Sequence, residues 1–337
     1  MKVELVKGFD PFRIIKAALK NGGRYADLYL EETRNNSIVL EEDKIEKVVS
    51  GRDRGCGIRV ISDRLKTFYA YTNDLTEKGL LDLAGVVAGA VKEGGTAGDI
   101  SLVKKEIAPG FEIKVPPGGV GLEEKIALVN KGNSVARDFD KRVRQVKVVY
   151  GDGFRSSATI NSLGQWVEEE RTSILYLCQV VSGDGGVIQT GYEPIGGVMG
   201  FEIFDENPPE LIAETAARRA VMMLGAERAP AGRMPVVLSS EAGGTMIHEA
   251  VGHGLEADLA QEGLSVYSGK IGQEVASPLI TVIDDGTMPN KRGSSFFDDE
   301  GSPTQRTVLV ENGVLKRYMS DRLNAMKAEE GGEGGEA

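Results

Sequence analysis

ADLYLEETRNNSIVLEEDKIEKVVSGRDRGCGIRVISDRLKTFYAY, residues 26–71, is a strand-forming stretch. Residues 26–32, 37–41, 45–49, 57–61 and 65–71 alternate apolar with polar side chains or concentrate β-branched and aromatic ones. Strands that bury one face need this pattern. Upstream, Asp10-Pro11 supplies a helix N-cap and a proline at the first helical position. Ile14, Ile15, Ala18 and Leu19 make one apolar helical face, and Gly22-Gly23 ends it. Downstream, a helical pattern occupies residues 75–92. The order is helix, several antiparallel strands, helix.

A glycine- and proline-rich linker, 94–121, follows, with Val115-Pro116-Pro117-Gly118-Gly119 near its end. The same order then recurs: a helix over 122–139, strands over 143–150, 155–161, 165–180 (in two pieces) and 186–190, and a helix from Asn207-Pro208-Pro209 to Leu224. Strands grouped between helices, without β-α-β alternation, predict an α+β fold: two related helix–antiparallel sheet–helix regions. Pro230 and Gly232 mark a second boundary. Beyond it, strands are expected at 235–238 and 279–283, and a hairpin over 307–319 turns at Glu311-Asn312-Gly313. Residues 329–337 contain only Glu, Gly and Ala and read as a disordered tail. The expected units are therefore 1–93, the linker 94–121, 122–225, the start of a β-rich third domain at 226–328, and the tail.

The formal net charge is -11, which argues against a phosphate backbone as partner. The basic spots at Arg52 with Arg54 and over 141–144 read as solvated surface. Apolar runs stay short of the roughly 20 residues that span a bilayer. The opening MKVELVKGFDPF has no apolar core of a signal peptide. With only two cysteines, Cys56 and Cys178, the chain reads as cytoplasmic with reduced thiols. Cys56 is expected buried and inert. Trp166, Phe68, Tyr69 and Tyr71 are expected to pack the sheets. Gly183-Asp184-Gly185-Gly186 lacks the lysine and following helix of a phosphate loop and reads as a hairpin turn.

Chemistry concentrates at His248-Glu249-Ala250-Val251-Gly252-His253, which holds both histidines of the chain. Imidazole is a favoured zinc ligand, and a glutamate beside a ligand can take a proton from water. The H-E-x-x-H pattern works because residues four apart share a helical face. Here the spacing is five, and positions five apart lie roughly 140° apart on an ideal α-helix. Both rings reach one metal only if the helix overwinds, carries a π-bulge or ends. Gly243-Gly244 before the segment, and Gly252 and Gly254 within and after it, suit such a break. Glu256 and Asp258 follow as further ligands or supporting partners, with exposed acids the plainer alternative. Ser239 and Ser240 lack the G-x-S-x-G setting of a nucleophile elbow.

HEAVGHGLEADL, 248–259, with Ser240-Glu241-Ala242-Gly243-Gly244 before it, resembles the H-E-x-x-x-H segment of TldD/PmbA proteins. These were once described as modulators of DNA gyrase and are now regarded as metallopeptidases. Ala26-Asp27-Leu28-Tyr29, residues 55–61, Asp298-Asp299-Glu300-Gly301 and the 309–319 hairpin carry the resemblance further. It implies a TldD-type subunit, with His248 and His253 as metal ligands and Glu249 as the base. Zinc suits these donors and iron is left open. It also implies an assembly with a PmbA (TldE) type subunit or with itself, whose interior admits unfolded peptides and modified-peptide precursors. In the family a later cysteine completes the metal site. No cysteine follows Cys178, so the chain reads as a C-terminally truncated member without its third ligand. A non-catalytic subunit that holds a partner or peptide is the alternative expectation.

Overall fold

The computed structural model describes residues 4–91, 103–104 and 111–330. Helix α1 (Pro11–Ala18) starts where the Phe12 amide donates to Asp10 Oδ1 at 2.9 Å. Three strands follow, β1 (Tyr25–Glu41), β2 (Lys44–Ile61) and β3 (Thr67–Thr72), then α2 (Glu77–Ala90). The second pass contains β4 (Val103–Lys104), α3 (Leu122–Asp138), β5 (Val143–Asn161), β6 (Gln165–Asp184), β7 (Val187–Gly197), α4 (Ile203–Glu206) and α5 (Pro209–Met223). The fold is α+β, as the grouping of strands between helices predicts.

The two passes build one sheet. Among the described residues its order is β3-β2-β1-β5-β6-β4, with β7 also paired to β6. Strand β1 joins the passes by running antiparallel to β2 on one side and β5 on the other. The shorter strands expected from the sequence fuse, so that β6 alone is 20 residues, roughly 60 Å of chain. The polar residues Thr33 to Asn36 pair with Asp53 to Ser50. Backbone pairing thus continues through exposed Arg34 and Asn35 and half-buried Thr33 and Asn36, where apolar alternation is not needed.

Two cores lie along one face of this sheet. Leu28, Leu30, Ile58, Val60 and Ile160 pack under α1 and α2. Ile38, Leu40, Val146, Val148, Tyr176 and Cys178 pack with α3 and α5. Lys125 of α3 is buried and meets Asp152 at 2.7 Å, while Tyr150 and Asn36 each donate to the same carboxylate at 2.8 Å. Between the cores Glu32 is fully buried and accepts from Arg34 at 2.8 Å and Arg52 at 2.6 Å. Arg52 is thus a partner of a buried carboxylate as well as a solvated charge. Cys56 and Cys178 are free and buried, and burial pushes each thiol up to about 12, which makes both inert. Tyr69 and Tyr71 correct an expectation: they lie 62% and 74% exposed on the opposite face, because β3 turns Phe68 and Ala70 toward the core.

The third region contains α6 (Ser240–Ile247), α7 (Ala257–Gln261), β8 (Val282–Asp285), β9 (Arg306–Glu311), β10 (Val314–Leu315) and α8 (Arg322–Glu330). Its strands form a sheet of order β10-β9-β8. The expected strand at 235–238 is not formed: these residues are exposed and irregular, having found no pairing partner among the described residues. Strand β8 begins three residues later than expected and β10 stops at Leu315, leaving 316–319 outside the ladder. Asn312 and Gly313 both adopt positive φ, 49° and 84°, as the two-residue hairpin turn requires. Gly185 and Gly186 do the same between β6 and β7, forming the hairpin turn expected here, while Gly183 and Asp184 are the last paired residues of β6. Of the expected tail, 329–330 close α8 and 331–337 lie outside the described residues, as does most of the expected linker.

The loop around Asp298 seats this region on the open face of the large sheet. Asp298 Oδ1 accepts the amides of Glu300 at 2.9 Å and Ser302 at 2.8 Å, which shapes the loop. Glu300 then pairs with Arg59 at 2.7 Å, Asp299 with Arg155 at 2.8 Å, and the Phe296 amide donates to Glu169 at 3.0 Å. Among the described residues no helix is long and apolar enough to cross a membrane.

Candidate metal centre

Helix α6 begins after extended Ser239, whose carbonyl accepts the Gly243 amide at 2.7 Å. At His248 the helix widens into a π turn, His248–Gly252, and the His253 amide bonds back to the His248 carbonyl. It then tightens into a single 3-10 turn, His253–Leu255, and Glu256 leaves it in an extended conformation. The extra residue in the wide turn brings positions five apart onto one face, as the spacing demands. The two imidazoles stand 4.5 Å apart between ring centroids, inclined at 69°. One ligand atom from each of His248, Glu249 and His253 lies within 4.8 Å of the others. A regular α-helix would have pointed the rings apart.

Carboxylates flank His253 on both sides. Glu249 Oε2 lies 3.8 Å from Nε2, and Glu256 Oε1 lies 2.9 Å from Nδ1. Asp258 is placed differently: its Oδ1 accepts the Leu259 amide at 2.8 Å at the start of α7. The structure thus brings His248, Glu249 and His253 together, adds Glu256 behind His253, and leaves Asp258 to its own helix. All three grouped side chains are exposed.

The wide turn is held from beneath. Val251 and Leu255 pack against Leu309, Val310, Leu315, Tyr318 and Met319. Met319 clamps the end of the turn with two backbone bonds: its amide donates to the Leu255 carbonyl, and its carbonyl accepts from Ala257, both at 2.8 Å. A Cβ on Gly254 would lie 2.8 and 2.9 Å from two carbons of the Tyr267 ring, so only glycine lets that ring close on the helix end. Ser265 donates to the Gly254 carbonyl, and Tyr318 donates to the Tyr267 carbonyl at 2.6 Å. Of these supports the sequence signalled Gly254 alone. The others act through tertiary contacts that leave no local pattern.

The residues fit a divalent zinc-like ion: two imidazoles, a donor type zinc favours, converge on one small space beside solvent, with the Glu249 carboxylate next to them. Neither cysteine can join them, since both are buried in the large sheet's cores.

Comparison with known proteins gives three consecutive family matches. Residues 26–92 match PmbA/TldA metallopeptidase domain 1, 115–224 its central domain, and 231–336 its C-terminal domain. A metalloprotease TldD homologue of Haemophilus influenzae is 37% identical over 309 residues, 89% of this chain and 64% of the relative. A metalloprotease of Methanocaldococcus jannaschii is 33% identical over 319 residues, covering 93% of this chain and 70% of the relative. A zinc metalloprotease TldD homologue of Saccharolobus solfataricus is 28% identical over 92% of this chain and 68% of its own length. The chain therefore spans a little under two thirds of the Haemophilus relative. Two solved structures share the fold. One is a Thermotoga maritima protein described as a candidate modulator of a DNA gyrase, with TM-score 0.76 and 24% identity over 90% of this chain and 69% of that one. The other is TldE from Thermococcus kodakarensis, with TM-score 0.67 and 19% identity over 90% and 68%. Matched along nearly all its length, and more than 30% identical to metalloproteases across about nine tenths of it, the chain belongs to the PmbA/TldA (TldD) metallopeptidase family.

Proposed function

We propose that this chain is the TldD-type, metal-bearing subunit of a cytoplasmic peptidase that cleaves unfolded or precursor peptides. Its partner is a PmbA (TldE) type subunit or a second copy of itself, and the kinship with TldE supports such an assembly. Its units fall at 1–93, 122–225 and 226–328. The observation that carries the proposal is the π turn, which gathers His248, Glu249 and His253 within 4.8 Å despite their five-residue spacing. His248 and His253 are the ligands. Zinc is the preferred ion by donor type, and the Saccharolobus relative's description supports it, with iron the second candidate. A catalytic zinc normally takes three protein ligands, and by the family resemblance a cysteine would be the third.

A bound zinc would supply Lewis acidity, polarising the scissile carbonyl and making water easier to deprotonate. Glu249 lies next to His248 in sequence and 3.8 Å from His253 in space, so its carboxylate faces the same small volume. It accepts the proton of the attacking water and then passes that proton to the departing amine nitrogen. The exposed setting leaves room for an extended peptide beside the turn.

Two measurements test this. Zinc retained after dialysis should be lost from the His248→Ala/His253→Ala variant, and equal zinc in both proteins would remove the site. With a cysteine-bearing longer chain and a PmbA-type partner, Glu249→Gln should abolish cleavage while keeping the metal. Undiminished cleavage would place the base elsewhere. Metal-free wild type that only captures peptide would instead establish the non-catalytic subunit.

A further inference from the structure

We infer that Glu256 is the positioning residue of the metal centre: it fixes His253 in the tautomer whose Nε2 is free to ligate. The inference rests on the reading of His253 as a ligand, but its geometry is independent of any ion. Glu256 Oε1 lies 2.9 Å from His253 Nδ1. A carboxylate oxygen accepts, so this contact assigns the donor role to Nδ1 and leaves the ring's lone pair on Nε2. That nitrogen is the one turned toward Glu249, at 3.8 Å.

The carboxylate is held on stiff backbone. Glu256 is the residue where the 3-10 turn becomes extended, at φ -70° and ψ 129°, and its amide bonds back to the His253 carbonyl at 3.3 Å. Its neighbours Leu255 and Ala257 are both buried, and both bond to Met319. Ring and carboxylate are therefore set by the same clamp, three residues apart. Asp258, the other acid considered for this role, is engaged by the Leu259 amide instead. A carboxylate behind a ligating imidazole orients the ring and raises its basicity, and removing such partners costs about 10–100-fold in metal affinity.

The chain has two histidines, so long-range proton–nitrogen correlation spectra of the metal-free protein read both tautomers directly. At about pH 8.5, well above the ordinary imidazole range, wild-type His253 should show a protonated Nδ1 and an unprotonated Nε2. Glu256→Ala should shift it to the Nε2–H form that an unconstrained imidazole favours, leave the His248 signals in place and weaken zinc binding about 10–100-fold. Asp258→Ala should change neither tautomer nor affinity. A wild-type His253 already in the Nε2–H form would overturn the inference without any variant. An unchanged tautomer in Glu256→Ala would do the same. Failure of wild type to bind zinc, with the tautomer as expected, would count against the peptidase proposal while upholding the role of Glu256 in fixing the ring.

Discussion

Substituting alanine for each of the two glycines at the end of the His248–Leu255 turns should move stability in opposite directions. Gly252 closes the π turn in helical conformation, and a Cβ there would meet His248 Nδ1 at 3.5 Å, an ordinary contact. Gly252→Ala should therefore gain the helical preference of alanine, roughly 0.5–1 kcal/mol. Gly254, two residues on, gains the same preference, but its Cβ would press on two ring carbons of Tyr267 at 2.8 and 2.9 Å. The backbones on both sides of the contact are anchored, by Tyr318 on the Tyr267 carbonyl and Ser265 on that of Gly254, and the ring packs against the cluster of Leu255, Leu309, Val310 and Leu315. Overpacking this contact costs about 1–3 kcal/mol, so the net loss for Gly254→Ala is about 0–2.5 kcal/mol. The propensity terms cancel in the comparison, and the two variants should differ by the overpacking cost alone. Urea unfolding of both variants, alone and with Tyr267→Ala, measures this. Tyr267→Ala should make Gly254→Ala no worse than Gly252→Ala. A Gly254→Ala protein as stable as Gly252→Ala with Tyr267 intact would refute the proposed seating of the helix end.

Breaking the buried Lys125–Asp152 pair with Lys125→Met should cost about 3–5 kcal/mol by leaving the carboxylate uncompensated. Adding Asp152→Leu should recover much of that loss in the same urea assay. For Glu32, burial works against the charged form, but the hydrogen bonds from Arg52 and Arg34 outweigh it and lower its pKa. A lowered folded-state pKa contributes stability above the unfolded value of about 4.3, and that stability is lost as pH falls through the folded value. Glu32→Gln should therefore be less stable at neutral pH and lose less on acidification, as unfolding curves between about pH 3 and 7 will show. Parallel curves for the two proteins would contradict the sign.

A departure from α geometry at the candidate metal site was legible from two residue identities, though overwinding, a π-bulge and a helix end all remained open. Histidines five apart can share a metal only where the helix departs from α geometry, and the π turn at His248–Gly252 is that departure. The helices were legible from Asp10-Pro11 and Pro208-Pro209, whose proline and capping chemistry is local. The single sheet was not: β1 pairs with β5 across more than a hundred residues, and long-range pairing leaves no local trace. Strand length was hidden for a related reason, since Thr33 to Asn36 are paired through their backbone but carry polar side chains and so show no apolar alternation. The exposed tyrosines of β3 show that a period of two finds the faces but does not say which one is covered. The apolar run at 235–238 shows that a strand needs a partner as well as propensity. The Met319 clamp works through backbone bonds that any residue could make, so no side chain announces it.

The most direct test of the central claim is a crystal structure of the zinc-soaked protein with anomalous data collected at the zinc edge. The account predicts one anomalous peak within bonding distance of both His248 and His253, across a π turn that keeps its wide hydrogen bond from His253 to His248. A regular α-helix through 248–253 with the rings diverging, or zinc bound away from both histidines, would contradict it.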